Sequence, residues 1–282
     1  MVSNDLTECY WAVMLVLINL GPLYILNKRL VSATIQTVHT YLVTTNYSFM
    51  SINIQPIGKI NTPYKEKFAI PRQPGLAKSA EGKIIFFEEF NDPNYLRGIE
   101  QFSHLWLLFY FHQTAEKGHS PLVRPPRLGG NQKLGVFATR SPFRPNSIGM
   151  SVVEFVAVSY QNKQLSLTVK GIDLLDATPI LDIKPYVPYV DSLPLASGGM
   201  AQHSPELMAV TFTEQANRQL NQLEPRYPAL TSLIREVLSQ DPRPAYHQDA
   251  HPDKTYGMTL YDINIQWKVI NHQNIVLAIH SN

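Results

Sequence analysis

The chain has 282 residues, 44% hydrophobic and 16% charged, with a formal net charge of +2. That length supports one large domain or two modest ones, and that composition excludes wholesale disorder. The single cysteine, Cys9, rules out a disulfide framework, a cysteine-based zinc site and an iron–sulfur cluster.

Residues 11–26 (WAVMLVLINLGPLYIL) form the only long apolar run. The run is shorter than the ~20 residues a spanning helix needs, and Gly21-Pro22 interrupts it. Acidic Asp5 and Glu8 precede it and basic Lys28 and Arg29 follow it, the reverse of a secretory signal. Residues 1–49 therefore read as an extension outside the working fold, with Met50 the expected start. A membrane anchor is the alternative reading of this segment.

From Met50 to residue 192 short strand signals dominate. Lys83–Phe87, Leu105–Phe111 and Leu134–Ala138 are compact apolar runs. Val153–Val158 leads through polar Gln161-Asn162-Lys163 into the alternating run Leu165–Lys170, which predicts a hairpin. No amphipathic helix of ordinary length separates these strands, so a mostly antiparallel barrel is expected rather than a doubly wound parallel sheet. Residues 193–205 are small, polar and turn-rich, and read as a linker. In 206–282, Thr213–Leu223 reads as a helix. Leu230, Leu233, Ile234, Val237 and Leu238 give a second helix one buried face. Tyr261–Val269 alternates strictly and pairs across a turn at Asn271–Asn274 with Ile275–Ile279. The fold class is thus mainly β: an antiparallel barrel over 50–192, followed by a small C-terminal α+β domain.

Charge locates the first functional signal. Residues 117–153 carry Lys117, Arg124, Arg127, Lys133, Arg140 and Arg144 and no acidic residue. Six cations on a chain stiffened by Pro125-Pro126, Pro142 and Pro145 suit a phosphate backbone, although a solvated basic loop has the same composition. Gly129-Gly130 and Gly135 have neither the spacing nor the following helix of a dinucleotide loop, and no phosphate-loop pattern occurs. A hydrolase elbow is absent, and no histidine pair has the spacing of a helical zinc site, so no metal is expected. His104 and His112 could share a strand face, but too far apart to share one ion. Polar groups recur instead where a strand stops and a proline-stiffened loop starts: at 63–75, 112–113, 139–146 and 173–179. A barrel presents a site at such a mouth.

These segments carry a resemblance. YKEKF (64–68), PRQPG (71–75), FSHLWLLFYFHQ (102–113), VRPPRLGG (123–130), GVFATRSPFRPNSIGM (135–150) and DLLDATPILDIKPY (173–186) resemble the TsaA-like family. Its full-length bacterial members, the TrmO group, are tRNA (adenine(37)-N6)-methyltransferases. DPRPAY (241–246) and the Tyr261–Val269 strand resemble the C-terminal domain of those members. The likeness covers 233 residues from Met50 onward. It implies a single-sheet, non-Rossmann barrel, S-adenosyl-L-methionine as cofactor, a homodimer and a cytoplasmic enzyme with no membrane partner. The implied substrate is ACN-decoding threonine tRNA carrying threonylcarbamoyl-adenosine next to the anticodon. A non-catalytic RNA- or nucleotide-binding barrel is the alternative.

The same likeness implies the site. Pro71, Arg72, Gln73, His112, Gln113, Arg140, Met150, Leu174, Leu175, Asp176, Ala177 and Thr178 would form the cofactor pocket. Asp176 and Asp182 are the candidate catalytic carboxylates, with His112 as the third candidate base. Asp176 could equally cap the turn before Thr178-Pro179, and Met150 could simply pack in the core. Arg124, Arg127, Lys133 and Arg144, with Arg243 and Tyr246 from the tail, would bind tRNA. Arg140 or Arg144 would meet the threonyl carboxylate.

Overall fold

The computed structural model describes residues 52–125, 132–243 and 254–281. The first eight strands are β1 (Gly58–Asn61), β2 (Glu81–Phe86), β3 (His104–Tyr110), β4 (Leu122–Val123), β5 (Leu134–Gly135), β6 (Ile148–Gln161), β7 (Gln164–Lys170) and β8 (Thr178–Pro185). Six of them close into a barrel in the order β1-β2-β7-β6-β3-β8, and every neighbouring pair is antiparallel. Closure leaves the barrel no unpaired edge. Ile60, Ile84, Leu105, Leu107, Leu165, Leu167 and Ile180 are fully buried and alternate with more exposed neighbours, as the two-residue strand period requires. The expected hairpin is β6–β7. Asn162 and Lys163 both take left-handed φ values (51° and 62°), the two-residue turn whose twist suits paired strands.

Two local expectations change. Leu134–Ala138 keeps only two strand residues, then turns at Val136–Ala138. Its partner β4 runs directly into Arg124-Pro125, and a proline without an N–H group cannot extend the ladder. Strand β8 was not legible, because Pro179 and Pro185 lie within its eight residues and proline normally demotes a strand.

Two short helices, α1 (His112–Ala115) and α2 (Pro188–Asp191), follow β3 and β8. The C-terminal region holds β9 (Ala209–Phe212), α3 (Glu214–Leu223), α4 (Leu230–Ser239), β10 (Tyr256–Leu260), β11 (Ile263–Ile270) and β12 (Gln273–Ser281). Its sheet order is β10-β11-β12-β9, with β9 parallel to β12. Thr213 caps α3 by accepting a hydrogen bond from the Ala216 N–H at 3.2 Å. All five apolar residues anticipated for α4 are buried. Each stabilises the unit by roughly 1.5–3 kcal/mol. The β11–β12 turn is tighter than the sequence suggested: Asn271 and His272 alone make it, at φ 48° and 61°. Tyr261, expected in a strand, sits in the β10–β11 turn at φ 57°. The short strands β9 and β10 were not anticipated.

The two sheets share one hydrophobic core running from Ile60 to Ile279. Tyr64 bridges Leu260, and the Tyr261 N–H donates to the Pro63 carbonyl at 2.7 Å. The Glu236 carboxylate on α4 accepts from the Ser79 N–H at 2.8 Å and from its hydroxyl at 3.1 Å. No helix among the described residues is long and apolar enough to cross a membrane.

Candidate functional site

Antiparallel order sends three connections out of the same barrel end: β1 to β2, β3 to β6, and β7 to β8. They hold the segments that sequence reading singled out at 63–75, 112–113, 139–146 and 173–179. Between them lies a cavity of about 720 Å³, within the usual range of small-molecule sites. The C-terminal region supplies part of its wall through Val237, Gln240, Pro242 and Arg243.

Nine of the twelve expected cofactor residues line this cavity: Pro71, Arg72, Gln73, His112, Gln113, Arg140, Met150, Leu175 and Thr178. Segments 67 residues apart meet where an Arg140 Nη1 donates to Gln73 Oε1 at 2.6 Å. Met150 is 51% exposed, which sets aside the core-packing alternative for it. Leu174, Asp176 and Ala177 are not among the lining residues. Leu174 is buried, and its carbonyl accepts from the Thr62 hydroxyl at 3.0 Å. The Asp176 carboxylate accepts from the Thr62 N–H at 2.8 Å and pairs with the Lys65 ammonium at 2.6 Å. It clamps the β7–β8 loop to the β1–β2 loop across 111 residues rather than capping its own turn before Thr178-Pro179. Ala177 takes a left-handed φ of 61°, and its N–H donates to the Ile60 carbonyl. Asp182 lies mid-strand on β8, paired with Lys184 at 2.9 Å, and is also away from the cavity.

The carboxylate that does line the cavity is Asp173, which opens the DLLDATP run and was not singled out. It is half-buried, and Ser151 Oγ donates to its Oδ1 at 2.5 Å. Burial pushes its carboxyl up to about 6, against the opposing pull of the Ser151 hydrogen bond and the nearby Arg140 charge. No other acidic residue lines the cavity among those described. Burial also raises the phenol of fully buried Tyr64, and the neighbouring charges of Asp173 and Glu236 add to the effect. Lys67, Phe68, Phe109, Phe111 and Thr139 are further lining residues that sequence reading missed. All five lie inside the quoted motifs, but which motif residues face the cavity depends on which strand ends barrel closure brings together.

The basic residues separate by what already holds them. Arg144 lines the cavity, but an Nη1 donates to the Thr139 and Ser141 carbonyls at 3.2 and 3.1 Å and so shapes its own loop. Arg243 is only 7% exposed and grips Asp241 through Nε and Nη2 at 2.7 and 2.9 Å. It is not the open cation expected for a phosphate. Arg124 lines the cavity and is exposed, whereas Lys133 is exposed and lies outside it. Arg127 and Tyr246 lie outside the described residues. His104 and His112 do not share a strand face: His104 starts β3, beside the Ser103 hydroxyl at 3.0 Å, and His112 heads α1.

The tRNA-methyltransferase O N-terminal domain model matches residues 59–192, and the TrmO C-terminal domain model matches residues 205–282. The chain belongs to the TrmO family. It is 54% identical over 230 residues to the tRNA (adenine(37)-N6)-methyltransferase of Escherichia coli K12, covering 81% of this chain and 98% of that one. It is 48% identical over 219 residues to RcsF of Pseudomonas aeruginosa, which carries the name of an S-adenosylmethionine-dependent methyltransferase, covering 77% and 93%. The crystal structure of TrmO from Pseudomonas aeruginosa superposes with a TM-score of 0.71 at 39% identity, covering 83% of this chain and all of that chain.

Proposed function

We propose that this chain methylates N6 of threonylcarbamoyl-adenosine at position 37 of ACN-decoding threonine tRNA, giving N6-methyl-N6-threonylcarbamoyl-adenosine. At the coarser level it is an S-adenosylmethionine-dependent tRNA (adenine(37)-N6)-methyltransferase of the TrmO family. The observation that carries the catalytic reading is Asp173, the one carboxylate among the described residues lining a cavity that also holds six cationic side chains. A surface that only bound tRNA would gain nothing from a half-buried anion among its phosphate-binding residues. That disfavours the non-catalytic barrel.

The lining fits the cofactor's chemistry. Arg140, held by Gln73, suits the methionyl carboxylate. Apolar Phe109, Phe111, Ile148, Met150 and Leu175 suit the adenine, and Asp173 offers negative charge toward a cation. When bound, S-adenosylmethionine supplies an electrophilic methyl group. The acceptor N6 is acylated and its lone pair is delocalised, so losing its proton as the new bond forms lowers the barrier. We assign that proton to Asp173 rather than to Asp176 or Asp182, because only Asp173 lines the cavity. Ser151 fixes the orientation of its carboxylate, and the barrel supplies alignment, which is a major part of the rate in a direct displacement.

In this reading residues 50–192 form the catalytic barrel, 193–205 the linker and 206–282 the closing wall. The chain works in the cytoplasm, where its tRNA is, and as a homodimer. Dimerisation is supported by an apolar surface on the outer half of β6 (Val156, Val158 and Tyr160) and by Tyr189 and Leu195, which are 89% and 100% exposed. Nucleoside mass spectrometry tests the activity: purified chain, S-adenosylmethionine and threonine tRNA bearing threonylcarbamoyl-adenosine should give the singly methylated nucleoside. Transfer to unmodified adenosine 37 instead would reject the proposed substrate.

A further inference from the structure

Among the described residues six cationic side chains line the cavity: Lys67, Arg72, Arg124, Arg140, Arg144 and Arg243. Four are already engaged. Arg72 donates to the Asp241 carbonyl, Arg140 to Gln73, Arg144 to two loop carbonyls, and Arg243 pairs with Asp241. The side chains of Lys67 and Arg124 have no partner among the described residues. Beside Lys67 stands Phe68, a large ring that lines the cavity and is nevertheless 59% exposed. An exposed ring lining a cavity that also holds two cations without a partner combines a stacking face with an anion site.

We infer that Lys67, Phe68 and Arg124 form the subsite that reads the modified base: the ring stacks on the adenine, and the two cations take the negative charge of its acyl amino acid. This rests on the substrate reading above. It also reassigns a role that sequence reading gave to Arg140 or Arg144, both of which the fold has already committed. A carboxylate on the base and a backbone phosphate of the anticodon loop offer the same anionic chemistry, so the test must separate them.

The full chain is assayed on threonine tRNA carrying threonylcarbamoyl-adenosine 37 and on the same tRNA with the threonyl carboxylate converted to its methyl ester. The wild type should prefer the acid by roughly ten- to hundredfold in kcat/KM, the size of a lost charge-assisted hydrogen bond. Lys67→Gln and Arg124→Gln should lower kcat/KM on the acid and bring the preference close to one. Phe68→Ala should lower kcat/KM on both substrates, and Phe68→Tyr should restore it. Calorimetric binding of S-adenosylmethionine should stay at wild-type affinity in all four variants, which also verifies that they are folded. Equal losses on acid and ester in the Lys67 and Arg124 variants would assign the cations to a phosphate and overturn the inference. Loss of cofactor binding would do the same. A wild-type chain inactive on the acid would instead overturn the substrate reading.

Discussion

Replacing Asp173 with Asn keeps the shape of the side chain and removes its charge. The Ser151 hydroxyl can still donate to the Asn Oδ1, so the local hydrogen bond survives. Wild-type Asp173 is raised from 3.8 to about 6 in the folded chain, which corresponds to at most about 3 kcal/mol of cost for holding it ionised. Solvent in the open cavity screens part of this, leaving roughly 1–3 kcal/mol. The sign follows from proton counting. Between pH 4 and 6 the folded chain binds more protons at this position than the unfolded chain does. Its contribution to stability is therefore greatest below pH 4 and declines as pH rises through 6. The Asn variant never bears the cost. Urea denaturation should find it more stable than wild type by roughly 1–3 kcal/mol at pH 7.5, with the difference shrinking toward zero by pH 4. Methyl transfer should fall at least a hundredfold in the same variant, and wild-type kcat/KM should show an acid limb near pH 6. A variant less stable than wild type at pH 7.5, or a difference that does not change with pH, would refute this account of Asp173. Retained turnover would remove it from the chemistry. A stabilising substitution that abolishes activity is the expected behaviour of a group kept at a cost to the fold.

Three further outcomes follow from the packing. Asp176→Ala should lower stability by about 1–3 kcal/mol in thermal or urea unfolding, because it strands the buried Thr62 N–H, while measurable kcat remains. Turnover as low as that of Asp173→Asn would restore Asp176 to the chemistry. Gly149→Ala should destabilise by about 1–3 kcal/mol or more, since its new Cβ would lie 2.3 Å from the Phe109 ring at the cavity wall; an unchanged midpoint in denaturant would show that the ring can move. Arg140→Ala should weaken S-adenosylmethionine binding roughly ten- to hundredfold by calorimetry with an unaltered circular dichroism spectrum, and near-native affinity would place the methionyl carboxylate elsewhere.

Local chemistry made much of the fold readable from sequence. The β6–β7 hairpin followed from alternation around Gln161-Asn162-Lys163, and α4 from five apolar residues at helical spacing. Missing glycine loops set aside a dinucleotide fold, and the quoted motifs pointed to the family and to nine of the cavity's residues. What failed was whatever depends on a distant partner. Strand β8 looks proline-broken until β1 and β3 close over it. Strand β9 has only four residues, and it exists because β12 accepts it in parallel.

The site divides in the same way. Sequence determined which residue types collect in the three loops, and how basic they are. It did not determine which charges remain available, because that depends on the acceptors that folding brings within reach. Asp176 meets Lys65 across 111 residues and is withdrawn from the cavity, while Asp173, three positions earlier, is left facing it. Arg243 is neutralised by Asp241, and Arg124 is not. Closing an antiparallel barrel decides which loop ends share a mouth, and side-chain pairing there decides which charges are left for a ligand.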